Sequence, residues 1–242
     1  MDVPIDSVVK VSAFVGAALS MGIGAIGTGI GIGIGGAEAA RAAARQPAGY
    51  SQVFKTMLIG QAVTETAAIF SLMVAIVLLF VALPSGDMTG VAARLGAGIA
   101  MGAGALGSGI GAGLANGAAC RGIARRPDVG NDVTTVMLVG QSVAQSSAIF
   151  ALIIALLLVF EPTTSSDFVT VCKFLGAGIC MGLGAVGPGL GSGVAAMDGV
   201  LGVACNVRYK QQILRTMLLG QAVSQSTASY SLGIAIMLIF VT

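Results

Sequence analysis

One pattern occurs three times along this chain, at a constant interval of 80 residues. Each copy has a glycine-rich apolar stretch, a short polar stretch and a second apolar stretch with bulkier side chains. Corresponding dipeptides mark the copies: Met21-Gly22, Met101-Gly102 and Met181-Gly182, then Gly60-Gln61, Gly140-Gln141 and Gly220-Gln221. The chain is therefore a tandem triplication, and its fold must consist of three versions of one structural unit.

The apolar stretches are long enough to cross a bilayer as helices, since about 20 residues at 1.5 Å each span the hydrocarbon core. The chain is 56% hydrophobic and only 9% charged, a composition typical of a membrane protein. We predict an all-α membrane protein of three tandem helical hairpins, formed by residues 1–86, 87–166 and 167–242. The six predicted spans are 11–36, 54–82, 92–118, 133–160, 171–197 and 212–241.

The charged residues predict the orientation of the hairpins. Most cations lie at or beside the turns within hairpins, whereas acidic residues such as Asp87, Glu161 and Asp167 lie at the opposite ends. By the positive-inside rule, the turns face the cytoplasm and both termini lie on the other side of a multi-pass bacterial cell membrane. Every repeat contains two spans, so the repeats run parallel, which argues against an inverted-repeat transporter.

Several functional classes receive no support from the sequence. A net charge of +2 with 5% aromatic residues provides no nucleic-acid surface. The run Gly22-x-Gly24-x-x-Gly27 matches a dinucleotide fingerprint by letter, but it lies inside an apolar span and not after a strand. The four cysteines have neither zinc-site nor disulfide spacing, and the chain has no histidine. We expect no cofactor and no nucleic-acid partner.

The glycines of the odd-numbered spans indicate close packing between helices. Gly27 and Gly31, like Gly29 and Gly33, form GxxxG pairs, which let helix backbones approach in lipid. The even-numbered spans are rich in leucine, isoleucine, valine and phenylalanine. We expect the odd-numbered helices to form a tight inner layer and the even-numbered helices to lie outside it, against lipid.

A single carboxylate lies near the middle of a span, at Glu65. The repeat places Gln145 and Gln225 at the corresponding positions. A carboxylate at mid-bilayer costs about 2.5–3.5 kcal/mol on insertion scales, so such a residue is rare without a use. An amide keeps the hydrogen-bonding shape but cannot exchange a proton or neutralise a cation. Glu65 is therefore the candidate ion-binding residue, and hairpins two and three are interpreted as spacers.

These motifs resemble the rotor-ring proteolipid, or c subunit, of rotary ATP synthases and ATPases, in a triplicated form. The resemblance covers essentially the whole chain. It rests on the glycine ladder of the first span, on Arg45-Gln46-Pro47 at the turn, and on the run Thr56-Met-Leu-Ile-Gly-Gln-Ala-Val-Thr-Glu-Thr66. It implies that hairpins close into a ring in which other copies, or other forms of the same proteolipid, are neighbours.

The resemblance also implies partners and a mechanism. The carboxylate would alternate between an ion-loaded state facing lipid and an open state at the stator's a subunit, where an arginine displaces the ion. Rotation would be coupled to the central stalk, which rests on the polar turns. The residues that carry over to this stalk contact are Arg45, Gln46 and Pro47 in the first turn, and Arg125, Arg126 and Pro127 in the second. The third turn, Cys205-Asn206-Val207, lacks the motif.

The transported ion is H⁺ or Na⁺. Sodium-binding rings of this family add an inner-helix glutamine and a tyrosine one turn after the carboxylate, but Ile32 and Phe70 occupy those positions here, which favours protons. Thr66, Val63 and Gln61 are the candidate ligands in the same hairpin. Because the family builds each site across adjacent hairpins, the neighbour supplies a further set, either Val223, Ser226, Thr227 and Tyr230 or Val143 and Ser146.

One carboxylate for three hairpins lowers the number of ions carried per turn of the ring. Each charge moved through 100 mV is worth about 2.3 kcal/mol, so a ring of this chain alone would collect a third of the energy available to an ordinary ring. That ratio favours ATP-driven pumping over synthesis, unless single-hairpin copies join the ring. One other class stays open, a structural or assembly proteolipid without transport. A secondary transporter or channel would need several polar pathways within the membrane or inverted halves, and the sequence shows neither.

Overall fold

The computed structural model describes residues 5–81, 87–161 and 167–241, and within them the chain forms six α-helices. All six are long and apolar enough to cross a membrane. This confirms the predicted all-α membrane fold. The helices are α1 (Ile5–Arg45), α2 (Tyr50–Phe80), α3 (Met88–Arg125), α4 (Gly130–Phe160), α5 (Phe168–Cys205) and α6 (Lys210–Phe240). The predicted hairpin boundaries at 86 and 166 lie outside the described residues.

The odd-numbered helices continue beyond the predicted spans. Helix α1 has 41 residues, which corresponds to about 60 Å, twice the thickness of a hydrocarbon core. Its last turns read Ala-Glu-Ala-Ala-Arg-Ala-Ala-Ala-Arg, a run of strong helix formers that needs no lipid to stay helical. Helix α1 therefore extends beyond the hydrocarbon core on the side of the turn.

The three turns within hairpins share one backbone shape. The residues after α1, α3 and α5 are Gln46, Arg126 and Asn206, whose φ and ψ lie near −140° and 80°, and a short 3-10 turn follows each. Pro47 and Pro127 suit the start of such a turn because their φ is already fixed. Val207 forms the same turn without proline. The third turn has thus lost the sequence motif but not the conformation.

The odd-numbered helices form a tight layer in which α3 lies between α1 and α5. At several glycines of this layer an added Cβ would collide with the backbone of the neighbouring helix: Gly27 with Leu106, Gly113 with Gly31, and Gly193 with Gly111. Backbones this close exclude every larger residue. The predicted inner layer is confirmed within the chain, and α2, α4 and α6 pack on one side of it.

Neighbouring hairpins are related by a constant step, visible in the polar contacts between them. The hydroxyls of Thr56 and Thr134 lie 2.8 Å apart, and Lys210 Nζ lies 2.8 Å from an Asp132 carboxylate oxygen. Both pairs are separated by 78 residues in sequence. Residues 78 positions apart thus face each other both between hairpins one and two and between hairpins two and three. The same step identifies the side chains at the two outer edges that would face a neighbouring copy.

Candidate ion-carrying site

The Glu65 position of the three repeats is occupied by Glu65, Gln145 and Gln225, which are called the pivotal residues below. They occupy equivalent positions on α2, α4 and α6 but differ in exposure. Gln145 and Gln225 are 6% and 8% exposed. Glu65 is exposed. The difference follows from packing, because Gln145 and Gln225 each lie against a preceding hairpin and no described hairpin packs against Glu65 in the same way. Glu65 lies on the outer edge of the three-hairpin unit.

Each pivotal glutamine donates a hydrogen bond to the preceding hairpin. Gln145 Nε2 lies 3.0 Å from the Val63 carbonyl oxygen, and Gln225 Nε2 lies 3.1 Å from that of Val143. Gln225 Nε2 also lies 2.9 Å from the hydroxyl of Ser192 on α5. These amides thus span the junction between hairpins. By the repeat, the corresponding carbonyl for Glu65 would belong to a hairpin outside the described residues.

A second glutamine, one turn earlier, joins three helices. Gln141 Nε2 lies 3.0 Å from both the Ala112 carbonyl oxygen on α3 and the Gly60 carbonyl oxygen on α2. Gln221 makes the same pair of contacts with Ser192 and Gly140, at 3.0 and 2.9 Å. A helical carbonyl oxygen has a second lone pair, which these amides use. Each junction is thereby fixed by hydrogen bonds in the membrane interior.

Gln61 is the first member of this series, although its position near Glu65 suggested only a role in ion binding. Its Nε2 lies 3.3 Å from the Ile32 carbonyl oxygen, the counterpart of Ala112 and Ser192. The structure therefore places Gln61 in a helix-joining contact. The signal was present in the sequence, because the Gly-Gln dipeptide occurs in all three repeats whereas the carboxylate does not.

The predicted ligands Val63 and Thr66 lie at the junction with hairpin two. The Thr66 hydroxyl donates to the Val63 carbonyl oxygen at 2.7 Å, and Gln145 donates to the same oxygen. Val143 and Ser146 repeat this arrangement at the junction with hairpin three, where Gln225 is the donor. Both sets therefore flank an amide pivot and not the Glu65 carboxyl.

The remaining predicted ligands lie on α6 at the other edge of the chain. Val223 and Tyr230 are 72% and 68% exposed, Thr227 is also exposed, and Ser226 donates to the Val223 carbonyl oxygen at 2.7 Å. Thr66 and Val63 make the same hydrogen bond on α2, where Gln145 of the following hairpin also donates to the Val63 carbonyl oxygen. On α6, no described residue donates to the Val223 carbonyl in the way that Gln145 does. One edge of the three-hairpin unit thus carries a pivot, and the other edge carries the carbonyl that a pivot would meet.

The turn residues predicted to contact a stalk form the end of the hairpins. Arg45, Pro47, Arg125 and Pro127 are exposed, and Gln46 is partly buried. Arg126 is exposed and joins adjacent turns, donating to the Cys205 carbonyl oxygen at 3.3 Å and to Asp128 at 3.0 Å. This end presents a basic surface.

The family model of the ATP synthase C subunit matches the chain three times in tandem, at residues 15–78, 95–158 and 175–238. The chain belongs to the ATP synthase c-subunit family. One curated relative is the ATP synthase c subunit of Alkaliphilus oremlandii, 46% identical over 80 residues, or 33% of this chain and 90% of the relative. The c subunit of Lachnoclostridium phytofermentans is 44% identical over 77 residues, or 32% and 88% of the two chains. That of Thermotoga petrophila is 50% identical over 69 residues, or 28% and 81%.

The family assignment confirms the resemblance drawn from the motifs. Each of these relatives matches about one third of the chain, so this family member is built of three family units in one polypeptide. It is a multi-pass membrane protein of the c-subunit family. Its departure from these relatives is the fusion itself, which places two hairpin junctions within one chain.

Gln141→Ala should destabilise the chain by about 2–3 kcal/mol, because it removes the hydrogen bonds from Gln141 to α2 and α3 and leaves a cavity at a fully buried position. Unfolding of the purified chain in a mixed-micelle denaturant titration measures this loss. Ser142→Ala on the same helix is the control, since its exposed hydroxyl bonds to its own helix, and should change stability by less than about 0.5 kcal/mol. Equal stability of Gln141→Ala and wild type would contradict the assigned contact.

Proposed function

We propose that this chain is an ion-carrying subunit of a rotor ring and that Glu65 carries the ion. One observation supports this most directly. Two amides at the pivotal position each donate to a carbonyl of the preceding hairpin, and Glu65 is the one pivot whose side chain can gain and lose a proton. A carboxyl at a hairpin junction within the membrane is costly unless it is neutralised by a proton or a cation.

The amides indicate how the loaded state is held. A protonated Glu65 has a donor hydrogen where the amides have theirs, so it can donate to the carbonyl of Val223 on a preceding hairpin three. Loss of the proton removes that donor and places a carboxylate beside a carbonyl oxygen, which is repulsive. Protonation therefore closes the side chain onto its neighbour and deprotonation releases it, as an ion carrier requires.

Protons suit the site better than sodium. Ser192 supplies a hydroxyl from the inner helix to Gln225, but the corresponding residue beside Glu65 is Ile32, whose carbonyl oxygen accepts from Gln61. A sodium ion would need several oxygen ligands, and this inner position supplies no side-chain oxygen. The available set consists of the Glu65 carboxyl, the Val223 carbonyl and the hydroxyls of Ser226, Thr227 and Tyr230. Sodium is the second candidate.

The other parts of the cycle follow from the family and the charge distribution. The stator's a subunit would displace the ion with an arginine, and the central stalk would rest on the exposed turns, which contain Arg45, Arg125 and Arg126. By the positive-inside rule, the same cations favour an orientation with the turns in the cytoplasm and the termini outside. With one carboxylate for three hairpins, the ring operates best as an ATP-driven pump that builds a steep gradient.

Carbodiimide labelling of the intact complex in membranes tests the proposed function and the ion together. We expect a single modified residue, Glu65, located by mass spectrometry, with labelling that rises at lower pH and is unaffected by sodium. Labelling that sodium suppresses would identify a sodium site. Membranes carrying Glu65→Gln provide the control for unspecific modification. Absence of labelling at every pH, with ATPase coupling unchanged in Glu65→Gln, would support a purely structural proteolipid.

A further inference from the structure

The contacts between hairpins define which residues lie at a junction with another copy. Gly130 of hairpin two lies against Gln52 of hairpin one. At the next junction, Lys210 of hairpin three lies beside Asp132 of hairpin two. One turn later, Thr134 contacts Thr56. In each pair, a residue contacts the one that lies 78 positions earlier, in the preceding hairpin. If hairpin three of another copy precedes hairpin one, the same relation brings Tyr50 against Gln212 and Phe54 against Thr216.

The first side of this junction carries an aromatic pair that is specific to hairpin one. Tyr50 and Phe54 are 53% and 43% exposed, and their rings stack with centroids 5.7 Å apart. The corresponding residues of hairpin two are Gly130 and Thr134, which are small and fit closely against hairpin one. Hairpin one therefore has two exposed aromatic side chains at positions where hairpins two and three have smaller or charged residues.

The second side of the junction has a cavity of about 440 Å³ on hairpin three. Its lining includes Tyr209, Gln212, Thr216 and Met217 from the turn and α6, and Asp198 from α5. Gln212 and Thr216 are the two residues that the repeat places opposite the aromatic pair. A projection specific to hairpin one thus corresponds to a cavity at the matching height of hairpin three.

Charges at the two outer edges support the same pairing. Between hairpins one and two, a Glu38 carboxylate oxygen lies 3.7 Å from Arg121 Nε. By the repeat, Asp198 of hairpin three corresponds to Glu38, and Arg41 of hairpin one corresponds to Arg121. Asp198, which is exposed in the cavity wall, would therefore face Arg41 of another copy. Arg41 is exposed and bonds to Glu38 of its own helix at 2.7 Å. A carboxylate and a guanidinium, which have opposite charges, thus lie at corresponding places on the two edges.

The glycine layer gives a third, independent observation. Gly109 and Gly189 lie against the backbone of the preceding inner helix, but a Cβ added to Gly29, their counterpart on α1, would meet no described residue within 4 Å. Gly187 on α5 is likewise open, although its counterparts Gly27 and Gly107 contact the following helix. The open glycines lie on the two edges of the inner layer, where each would meet the other edge of a second copy.

We propose that the Tyr50–Phe54 pair of one copy inserts into the hairpin-three cavity of a second copy, and that this contact selects the same chain as the neighbour. The inference rests on the proposed function only in requiring a ring. It adds that the ring is assembled head to tail from whole chains, without single-hairpin subunits between them. Each Glu65 then lies at a boundary between copies, next to Val223 of the preceding chain.

Cysteine pairs in the intact complex test this contact, in a variant whose four native cysteines are replaced. Disulfides require Cα atoms about 4.4–6.8 Å apart, so a disulfide forms only between residues that face each other closely across a junction. Phe54→Cys with Thr216→Cys should yield a ladder of covalent multimers when the complex is oxidised in its membrane before detergent is added, because the glycine-layer and charge contacts still hold the copies together there. Thr56→Cys with Thr134→Cys is the matched control, and should form a disulfide within one chain and no ladder. Monomers only from the first pair, with the control disulfide formed, would overturn the inference.

Phe54→Thr, which copies the corresponding residue of hairpin two, tests the aromatic contact itself. We expect the ratio of detergent-stable oligomer to monomer to fall about tenfold, because a packed aromatic ring is lost at every junction between copies. An unchanged ratio would overturn the role of the pair. Carbodiimide labelling of Glu65 in the same samples separates the two proposals: labelling without the ladder would leave the ion carrier standing and remove the head-to-tail contact.

Discussion

Glu65→Gln should assemble normally and carry no ions. Gln145 and Gln225 show that an amide at the pivotal position is compatible with the fold and bonds to the preceding hairpin at 3.0 and 3.1 Å. The variant therefore preserves the junction but has no group that can exchange a proton. ATP-driven ion uptake by the reconstituted complex should fall to the background of the assay, and the amount of assembled complex should match wild type.

Glu65→Asp is the informative companion to that variant. It keeps the exchangeable carboxyl but withdraws it by one methylene, so we expect reduced transport with residual carbodiimide labelling. The pair separates chemistry from geometry, because the amide retains the shape and aspartate retains the charge. Ion uptake by Glu65→Gln at the wild-type rate would refute the carrier assignment. Loss of assembly in Glu65→Gln would instead show that the edge junction differs from the two seen within the chain.

Gly111→Leu should disrupt the folded chain. Gly111 lies in the centre of α3, and a Cβ there would come within 3.0 Å of the Gly189 carbonyl carbon and 3.4 Å of the Gly193 Cα. Those atoms belong to a backbone that has no room to withdraw. We expect a loss of more than about 3 kcal/mol, at the upper end of overpacking effects, in a mixed-micelle denaturant titration of the monomer followed by circular dichroism.

Gly29→Leu is the matched control, because it makes the same substitution on the same kind of helix where an added Cβ meets no described residue within 4 Å. The monomer should gain slightly in stability, by about 0.5–1 kcal/mol, since leucine has the higher helix propensity. Oligomerisation should fail, because the open edge is then blocked. If both variants were equally stable as monomers, the assigned packing of the inner layer would be wrong.

The repeat and the glycines predicted most of this fold because both are determined locally. An 80-residue period fixes three equal units, and GxxxG pairs predict which helices come into backbone contact. The full length of α1 was not predicted, since the Ala-rich run up to Arg45 is too polar to count as membrane span but remains helical. Hydropathy reports where lipid is and does not report where a helix ends.

The site was harder to predict than the fold. Position along α2 identified Glu65, but the side of the helix it occupies depends on how hairpins pack, which one sequence does not specify. Val63 and Thr66 are neighbours of Glu65 in sequence and belong to the opposite junction in the structure. Gln61 was grouped with the carboxylate although it joins helices through the Ile32 carbonyl.

The two amide pivots have a consequence for the mechanics of such a rotor. Gln145 and Gln225 are held by backbone carbonyls and have no charge to present to a stator. If the ring consists of this chain, each ion exchange is followed by passage of two neutral hairpins before the next carboxyl arrives. Torque would then be delivered in widely spaced pulses, and the stalk would have to twist and store elastic energy between them to drive the catalytic sites smoothly.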